Sequence, residues 1–125
     1  MNNIENTLNK AKCTLKINKV VSPHLDSEIL LSETINEDKK HIILNPKKIL
    51  NNKYLKHFNN LVERRKNGEP IAYLINKKEF WKNEFYVDKY VLIPRPDTEI
   101  IVEQVLKIYP KKSQLQVLDI GTGSG

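Results

Sequence analysis

The chain has little of what stabilises very small domains or carries a protein into a membrane. Its single cysteine, Cys13, excludes a disulfide within these 125 residues and also a thiolate metal cluster. The three histidines lack the i, i+3 or i, i+4 pairing of metal sites on helices. No apolar run approaches the ~20 residues of a membrane-spanning helix, and the first residues do not resemble a signal peptide. We expect no metal, no membrane segment and a cytoplasmic protein, with Cys13 packed inside a helical domain.

Positive charge is concentrated at the front of the chain. Residues 1–75 hold 13 Lys or Arg against 8 Asp or Glu, a net charge of +5 out of +6 for the whole chain. Such a surface could bind RNA or another polyanion. However, 18 of the 21 basic residues are lysine, whereas arginine, the better phosphate ligand, occurs at only three positions. We therefore favour a compositional bias and do not expect direct nucleic-acid binding.

Apolar spacing predicts an all-helical bundle over residues 1–75. The first helix, from residue 4 to about residue 20, has one apolar face. That face consists of Ile4, Leu8, Ala11 and Leu15. Ser22 as N-cap and Pro23 at the first helical position begin a second helix. Its apolar residues are Leu25, Ile29, Leu30 and Ile35. A further helix over residues 51–66 has a third stripe of this kind. The stripe consists of Tyr54, Leu55, Phe58, Leu61 and Val62.

After residue 75 the pattern changes from helical to extended. Residues 78–81 and 85–87, separated by a polar turn, predict a β-hairpin rich in aromatic side chains. Residues 91–93 predict one more short strand, which ends at a Pro-Arg-Pro sequence. Residues 76–96 are therefore expected to form a hairpin linker.

The last part of the chain, residues 97–125, combines a helix with a glycine-rich turn. The helix begins near Asp97 and stops before Pro110, and a polar loop follows at residues 111–114. Residues 116–120 are a short apolar segment of the kind that forms buried parallel strands. Three of the four glycines of the chain follow it within five residues. A strand that leads into such a turn lets the backbone approach a nucleotide-like ligand closely.

The glycine-rich turn has the pattern Asp119-x-Gly-x-Gly-x-Gly, which differs from the dinucleotide and P-loop patterns. This form is typical of methyltransferases that use S-adenosylmethionine (SAM). SAM has no pyrophosphate, but it carries a cationic amino group that a carboxylate at position 119 can help to hold. A glycine turn without a ligand is the alternative explanation.

The segment Pro94-Arg95-Pro96 holds Arg95 in an extended backbone conformation. Taken alone, it predicts a rigid connector between the hairpin and the next helix. On that interpretation Arg95 faces solvent or caps the helix.

Four motifs occur in order along the chain. Residues 68–74 read GEPIAYL, residues 79–81 read EFW, residues 91–99 read VLIPRPDTE and residues 117–125 read VLDIGTGSG. This succession resembles the HemK/PrmC family, the N5-glutamine methyltransferases of peptide chain release factors. A weaker similarity at residues 23–31 extends the resemblance over most of the chain.

The resemblance implies a fold class of α+β passing into α/β. It implies a helical release-factor-binding domain at residues 1–75, a β-hairpin linker at 76–96, and the first helix and strand of a Rossmann-like SAM-binding domain at 97–125. It also implies SAM as cofactor and release factors as protein partners. The cofactor-binding positions that it implies are Thr98, Asp119, Gly121, Thr122, Gly123, Ser124 and Gly125. Phe80, Trp81 and Tyr86 could contribute to release-factor binding, although packing is the commoner role of aromatic side chains.

The chain departs from the family pattern in three places. Lys82 stands where the family usually has glycine, so that Asn83 is expected to supply the left-handed backbone of the turn. Asp97 replaces the commoner glutamate. The family's Asn-Pro-Pro-Tyr segment, which holds the glutamine amide, does not occur in these residues and is expected to lie beyond Gly125. We therefore expect no catalytic residue within the chain, and no methyl transfer by residues 1–125 alone.

Two alternatives to this function stay open at the level of the sequence. One is a SAM-dependent methyltransferase for another amide or for a nucleobase, since Asn-Pro-Pro-Tyr is shared by such enzymes. The other is a non-catalytic helical module that docks a translation factor or RNA.

Overall fold

The chain divides into two compact units, Met1–Ile75 (unit 1) and Asn76–Gly125 (unit 2). The computed structural model describes residues 2–110 and 115–125. No helix within these ranges is long and apolar enough to cross a membrane. The same ranges contain no group of three or more His, Cys, Asp or Glu side chains arranged to hold a metal ion.

Unit 1 is helical, as the apolar spacing predicted. Its helices are α1 (Ile4–Ile17), α2 (Pro23–Ile35), α3 (Lys39–Leu44), α4 (Asn52–Lys66) and α5 (Ile71–Ile75). The four residues predicted for the apolar face of α1 are all buried, so that prediction is confirmed. They join side chains from the other helices in one core. The central members of this core are Leu15, Leu30, Leu31, Phe58 and Leu61.

Several details of unit 1 differ from the prediction. Cys13 is exposed, because it lies on the side of α1 that faces away from the core. Leu25 and Tyr54 are exposed to 49% and 37%, so neither belongs to the buried face of its helix. Helix α2 instead buries several polar side chains. Ser22 precedes α2 as expected, but its side chain makes no capping hydrogen bond. The proline at the first helical position has no N–H, so this helix start has one donor fewer that needs a partner.

Asparagine or aspartate caps the start of α1, α3 and α4. Asn3 accepts a hydrogen bond from the backbone N–H of Asn6 at 2.8 Å, at the start of α1. Asn51 does the same for Tyr54 at 2.8 Å, at the start of α4. Each bond satisfies a donor that the first turn of a helix leaves without a partner. Side-chain caps therefore fix where these helices begin.

Unit 1 also contains paired charges that connect its helices. Arg65 of α4 donates from Nε to Asp26 Oδ2 of α2 at 2.8 Å, and their side chains are only 20% and 8% exposed. Arg64, in the last turn of α4, makes two hydrogen bonds to Glu69 beyond the end of the helix. This hydrogen bonding raises the pKa of the Arg64 guanidinium, which therefore stays charged throughout the accessible pH range. The bond between Arg65 and Asp26 thus fastens α4 to α2 beside the apolar core.

Unit 2 begins with the predicted hairpin, in a different register. Strands β1 (Lys77–Phe80) and β2 (Asn83–Tyr86) pair antiparallel, with Phe80 opposite Asn83. The turn consists of Trp81 and Lys82, and Trp81 has the positive φ of +54°. The expectation that Asn83 supplies the left-handed backbone is therefore wrong, because Asn83 is the first residue of β2. Glycine at position 82 is not required either, since the φ of Lys82 is not positive.

The helix predicted after residue 97 is confirmed, whereas two short strands are not formed. A 3₁₀ turn (Pro96–Thr98) leads directly into α6 (Glu99–Ile108). Residues 91–93 and 116–120 are irregular, and the sheet of the described residues contains only β1 and β2. An isolated segment gains no ladder hydrogen bonds, so it does not become a strand without a neighbour. The polar loop predicted at residues 111–114 lies outside the described residues.

Candidate cofactor-binding site

A cavity of about 630 Å³ lies within unit 2. All seven positions that the sequence assigned to the cofactor line it. These are Thr98, Asp119, Gly121, Thr122, Gly123, Ser124 and Gly125. The 3₁₀ turn before α6 brings Thr98 to the cavity, and the glycine-rich turn brings the others. Residues more than twenty positions apart in the sequence thus share one concave surface.

The glycines of the turn have a backbone that other residues rarely adopt. Gly121, Gly123 and Gly125 have φ values of +81°, +64° and +111°. A Cβ atom at Gly123 would lie 3.4 Å from Cγ2 of Val91, whereas a Cβ at Gly121 or Gly125 would have no neighbour within 4 Å. The requirement for glycine at these two positions is therefore conformational. The absence of side chains also leaves their backbone open to a ligand.

Apolar side chains make up most of the remaining lining of the cavity. Phe80 of β1 and Phe85 of β2 both line it, and their rings meet edge to face with centroids 6.1 Å apart. Helix α6 contributes the aliphatic side chains of Ile101, Val102 and Val105. A flat, mostly apolar group such as a purine fits a wall of this kind, because aromatic and aliphatic surfaces bury it favourably.

Arg95 is the lining residue whose role the sequence interpretation missed. Sequence reasoning treated it as part of a connector, but the structure places it in the wall of the cavity beside Thr98. Its backbone is extended, with φ −94° and ψ 141°, and its carbonyl accepts a hydrogen bond from Thr98 N–H at 3.1 Å. The two flanking prolines were the available signal, since they restrict the backbone of the residue between them.

A side chain at the start of α6 holds the hairpin turn. Glu99 Oε1 accepts a hydrogen bond from the backbone N–H of Trp81 at 2.7 Å. Trp81 is the residue with the left-handed backbone, a conformation that costs energy for a bulky side chain. The charged acceptor offsets part of this cost. Glu99 therefore connects α6 to the hairpin that carries Phe80 and Phe85.

Unit 1 has a separate groove of about 720 Å³ between α1 and α4. Its floor includes the apolar residues Ala11, Leu55 and Val62, and the lysines Lys10 and Lys56 lie on its two sides. Amides and hydroxyls supply most of its polar groups. These belong to Asn2, Asn6, Thr7, Thr14, Asn52 and Asn59. Groups of this kind can hydrogen-bond to the peptide backbone of another protein.

A helical unit followed by a unit with a glycine-turn cavity defines a two-part protein that combines a candidate interaction surface with a candidate ligand site. The comparison with known proteins gives the family. Residues 6–75 match the PrmC N-terminal domain, and the chain belongs to that family. The resemblance seen in the sequence motifs is thereby confirmed.

Individual relatives extend the similarity beyond residue 75. The chain is 43% identical over 104 residues to a release factor glutamine methyltransferase of Shewanella oneidensis, covering 83% of this chain and 36% of that protein. It is 48% identical over 113 residues to the release factor glutamine methyltransferase of Buchnera aphidicola subsp. Baizongia pistaciae, covering 90% of this chain and 41% of that protein. It is 38% identical over 122 residues to the release factor glutamine methyltransferase of Aliivibrio fischeri, covering 98% of this chain and 43% of that protein. The chain thus spans about two fifths of the length of these relatives.

Proposed function

We propose that the chain is the N-terminal part of a SAM-dependent methyltransferase that modifies the glutamine of the Gly-Gly-Gln motif in peptide chain release factors. The observation that carries this proposal is the common cavity of the seven cofactor positions. The names of the relatives support the same activity and substrate. Residues 1–75 would bind the release factor, residues 76–96 would serve as the hairpin linker, and residues 97–125 would begin the SAM-binding domain.

The chemistry of the cavity is compatible with SAM. The glycine turn around Gly121 and Gly123 offers exposed backbone, and Asp119 offers a carboxylate for the cationic amino group. The hydroxyl of Thr98 can hydrogen-bond to the methionine portion, and the wall formed by Phe80 and Phe85 suits the adenine. When bound, SAM supplies a methyl group on a sulfonium. These residues hold and orient the donor.

Methyl transfer needs a second set of residues. An amide nitrogen is a weak nucleophile because its lone pair is delocalised, so that it must be held and oriented for in-line attack. The Asn-Pro-Pro-Tyr segment that does this in the family does not occur in residues 1–125. We therefore propose that these residues by themselves bind the donor but do not transfer its methyl group.

The groove of unit 1 is the surface that we propose for release-factor binding. Lys10 and Lys56 lie on α1 and α4, and Glu63 is the acidic residue of the lining. This excess of positive charge favours an acidic segment of the release factor. A non-catalytic docking module would use the same groove without the cavity of unit 2.

Cofactor binding is tested by isothermal titration of the 125-residue chain with SAM. We expect binding by the wild-type chain and an affinity at least tenfold lower for Gly121→Ala, since alanine at φ +81° strains the turn. Gly68→Ala is the matched control, because Gly68 has a similar φ of +95° but lies in unit 1. A wild-type chain that binds no SAM, or equal losses in both variants, would contradict the proposed cofactor site.

Release-factor binding is tested by titration with a purified release factor. The double variant Lys10→Glu with Lys56→Glu should weaken binding about tenfold or more. Its control is Lys16→Glu with Lys53→Glu, which makes the same charge change on the same helices outside the groove. Binding of the release factor without binding of SAM would favour the non-catalytic module. Incorporation of labelled methyl groups by residues 1–125 would contradict the proposed division of labour.

A further inference from the structure

The cavity of unit 2 has two charged lining residues of opposite sign. They are Arg95 and Asp119, and the other lining side chains are uncharged. Within the described ranges neither takes part in an ion pair, with each other or with a third residue. Two unpaired opposite charges in a mostly apolar cavity match a ligand that itself carries both signs on neighbouring atoms.

We propose that Arg95 binds the α-carboxylate of the amino-acid portion of the methyl donor, while Asp119 accepts hydrogen bonds from its α-ammonium group. This inference rests on the proposed function, because it assigns a further binding residue to the same cavity. The planar guanidinium of arginine donates two parallel hydrogen bonds to a carboxylate. Arg95 is therefore a specificity residue for donors with an intact amino-acid end.

The backbone around Arg95 prepares it for this role. Pro94 and Pro96 restrict the chain on both sides, and the carbonyl of Arg95 is bonded to the N–H of Thr98 at 3.1 Å. The start of α6 is in turn connected to the hairpin through Glu99 and Trp81, at 2.7 Å. The base of the Arg95 side chain thus has a defined position, so little backbone freedom is lost when a ligand binds there.

The charges also argue against a phosphate ligand. A diphosphate would place two or more negative charges in a cavity where Asp119 repels them and Arg95 is the cationic side chain of the described lining. The amino-acid end of SAM has one charge of each sign and leaves no such excess. The pair therefore selects an amino acid rather than a dinucleotide.

The test compares two ligands that differ only in the carboxylate, SAM and decarboxylated SAM. Dissociation constants are measured by NMR titration of the wild-type chain and of Arg95→Gln. We expect the wild-type chain to bind SAM about tenfold or more tightly than decarboxylated SAM. Arg95→Gln should lose this preference, with weaker SAM binding and unchanged binding of decarboxylated SAM.

Two control variants separate a specific loss of carboxylate recognition from a general effect of charge or of weakened binding. Lys89→Gln removes the same charge from unit 2 outside the cavity lining, and should keep the preference for SAM. Asp119→Asn should weaken the binding of both ligands, since both carry the ammonium group. Far-UV circular dichroism verifies that every variant is folded.

The outcomes distinguish failure of the role of Arg95 from failure of the cofactor site itself. If Arg95→Gln lowers the affinity for both ligands equally, or for neither, the role of Arg95 is overturned but the cofactor site stays in place. Absence of binding of both ligands to the wild-type chain would overturn the cofactor site and this inference together. Collapse of the preference in Lys89→Gln would show that long-range charge, and not Arg95, selects the carboxylate.

Discussion

Unit 1 and unit 2 differ in how much of their apolar surface is buried. Of the fourteen buried apolar residues of the described chain, thirteen lie in unit 1, and Val87 alone lies in unit 2. In unit 2, by contrast, residues such as Ile101, Leu118 and Ile120 are 64%, 83% and 87% exposed. Burial of apolar area is the main source of folding free energy. Unit 1 is therefore organised around its own core, whereas unit 2 is organised around a cavity.

The largest expected effect comes from a deletion in the core of unit 1. Phe58 is 1% exposed, and Phe58→Ala should lower the free energy of unfolding by about 3–5 kcal/mol, because it removes buried surface and leaves a cavity. Urea unfolding followed by far-UV circular dichroism measures this loss.

The same type of deletion in unit 2 is the control for Phe58. Ile101 is 64% exposed, so that Ile101→Ala should cost less than about 0.5 kcal/mol. The single tryptophan, Trp81, reports on unit 2 by fluorescence. Similar losses for the two variants would show that the contrast in burial does not govern stability.

The second largest expected effect is the loss of stability when a buried ion pair is broken. Arg65 and Asp26 are mostly buried, so removal of one partner in Asp26→Ala leaves an uncompensated charge and should cost about 3 kcal/mol. The exposed pair Glu103–Lys107 of α6, at 2.8 Å, should contribute no more than about 0.5 kcal/mol. Double-mutant cycles on both pairs measure the two coupling energies. Equal coupling energies would contradict the distinction.

The same contrast explains which elements the sequence could predict. Helix α1 was predictable because its core residues follow a local period of 3.6, which needs no knowledge of distant contacts. The strand expected at residues 116–120 was not, because a strand depends on a neighbour for its hydrogen bonds. The register of the hairpin was also missed, since a two-residue turn with Trp81 at positive φ has no common sequence signal.

The candidate site was partly predictable for a related reason. Glycine spacing and Asp119 form a contiguous motif, and Thr98 was implied by family resemblance. Arg95 required the fold, because its proximity to the glycine turn arises from the path of the chain and not from local sequence. Cys13 shows the reverse case: its residue type suggested packing, whereas the spacing of the apolar face of α1 already leaves position 13 on the exposed side.

Helix caps give a third, smaller difference between the units. Asn51 caps α4 through the N–H of Tyr54, so Asn51→Ala should cost about 1 kcal/mol. Thr98 precedes α6 but makes no capping hydrogen bond, so Thr98→Ala should change stability by less than about 0.5 kcal/mol. Thermal unfolding measures both, and titration shows whether Thr98→Ala weakens SAM binding. A large loss of stability in Thr98→Ala would indicate a structural role for this residue instead of a ligand-binding one.

The smallest expected effect is the change in stability when a lysine is replaced by glycine. Its sign should differ between Lys19 and Lys82. Lys19 follows α1 with a φ of +59°, where glycine is preferred, so Lys19→Gly should stabilise unit 1 by about 0.5–1 kcal/mol. Lys82 stands at the position where glycine was expected from the family, but its φ is not positive. There Lys82→Gly only adds freedom to the unfolded chain, and should destabilise the hairpin by about 0.5 kcal/mol. Amide exchange of α1 and of the hairpin measures both changes. Stabilisation by glycine at position 82 would mean that Lys82, and not Trp81, bears the strain of the turn.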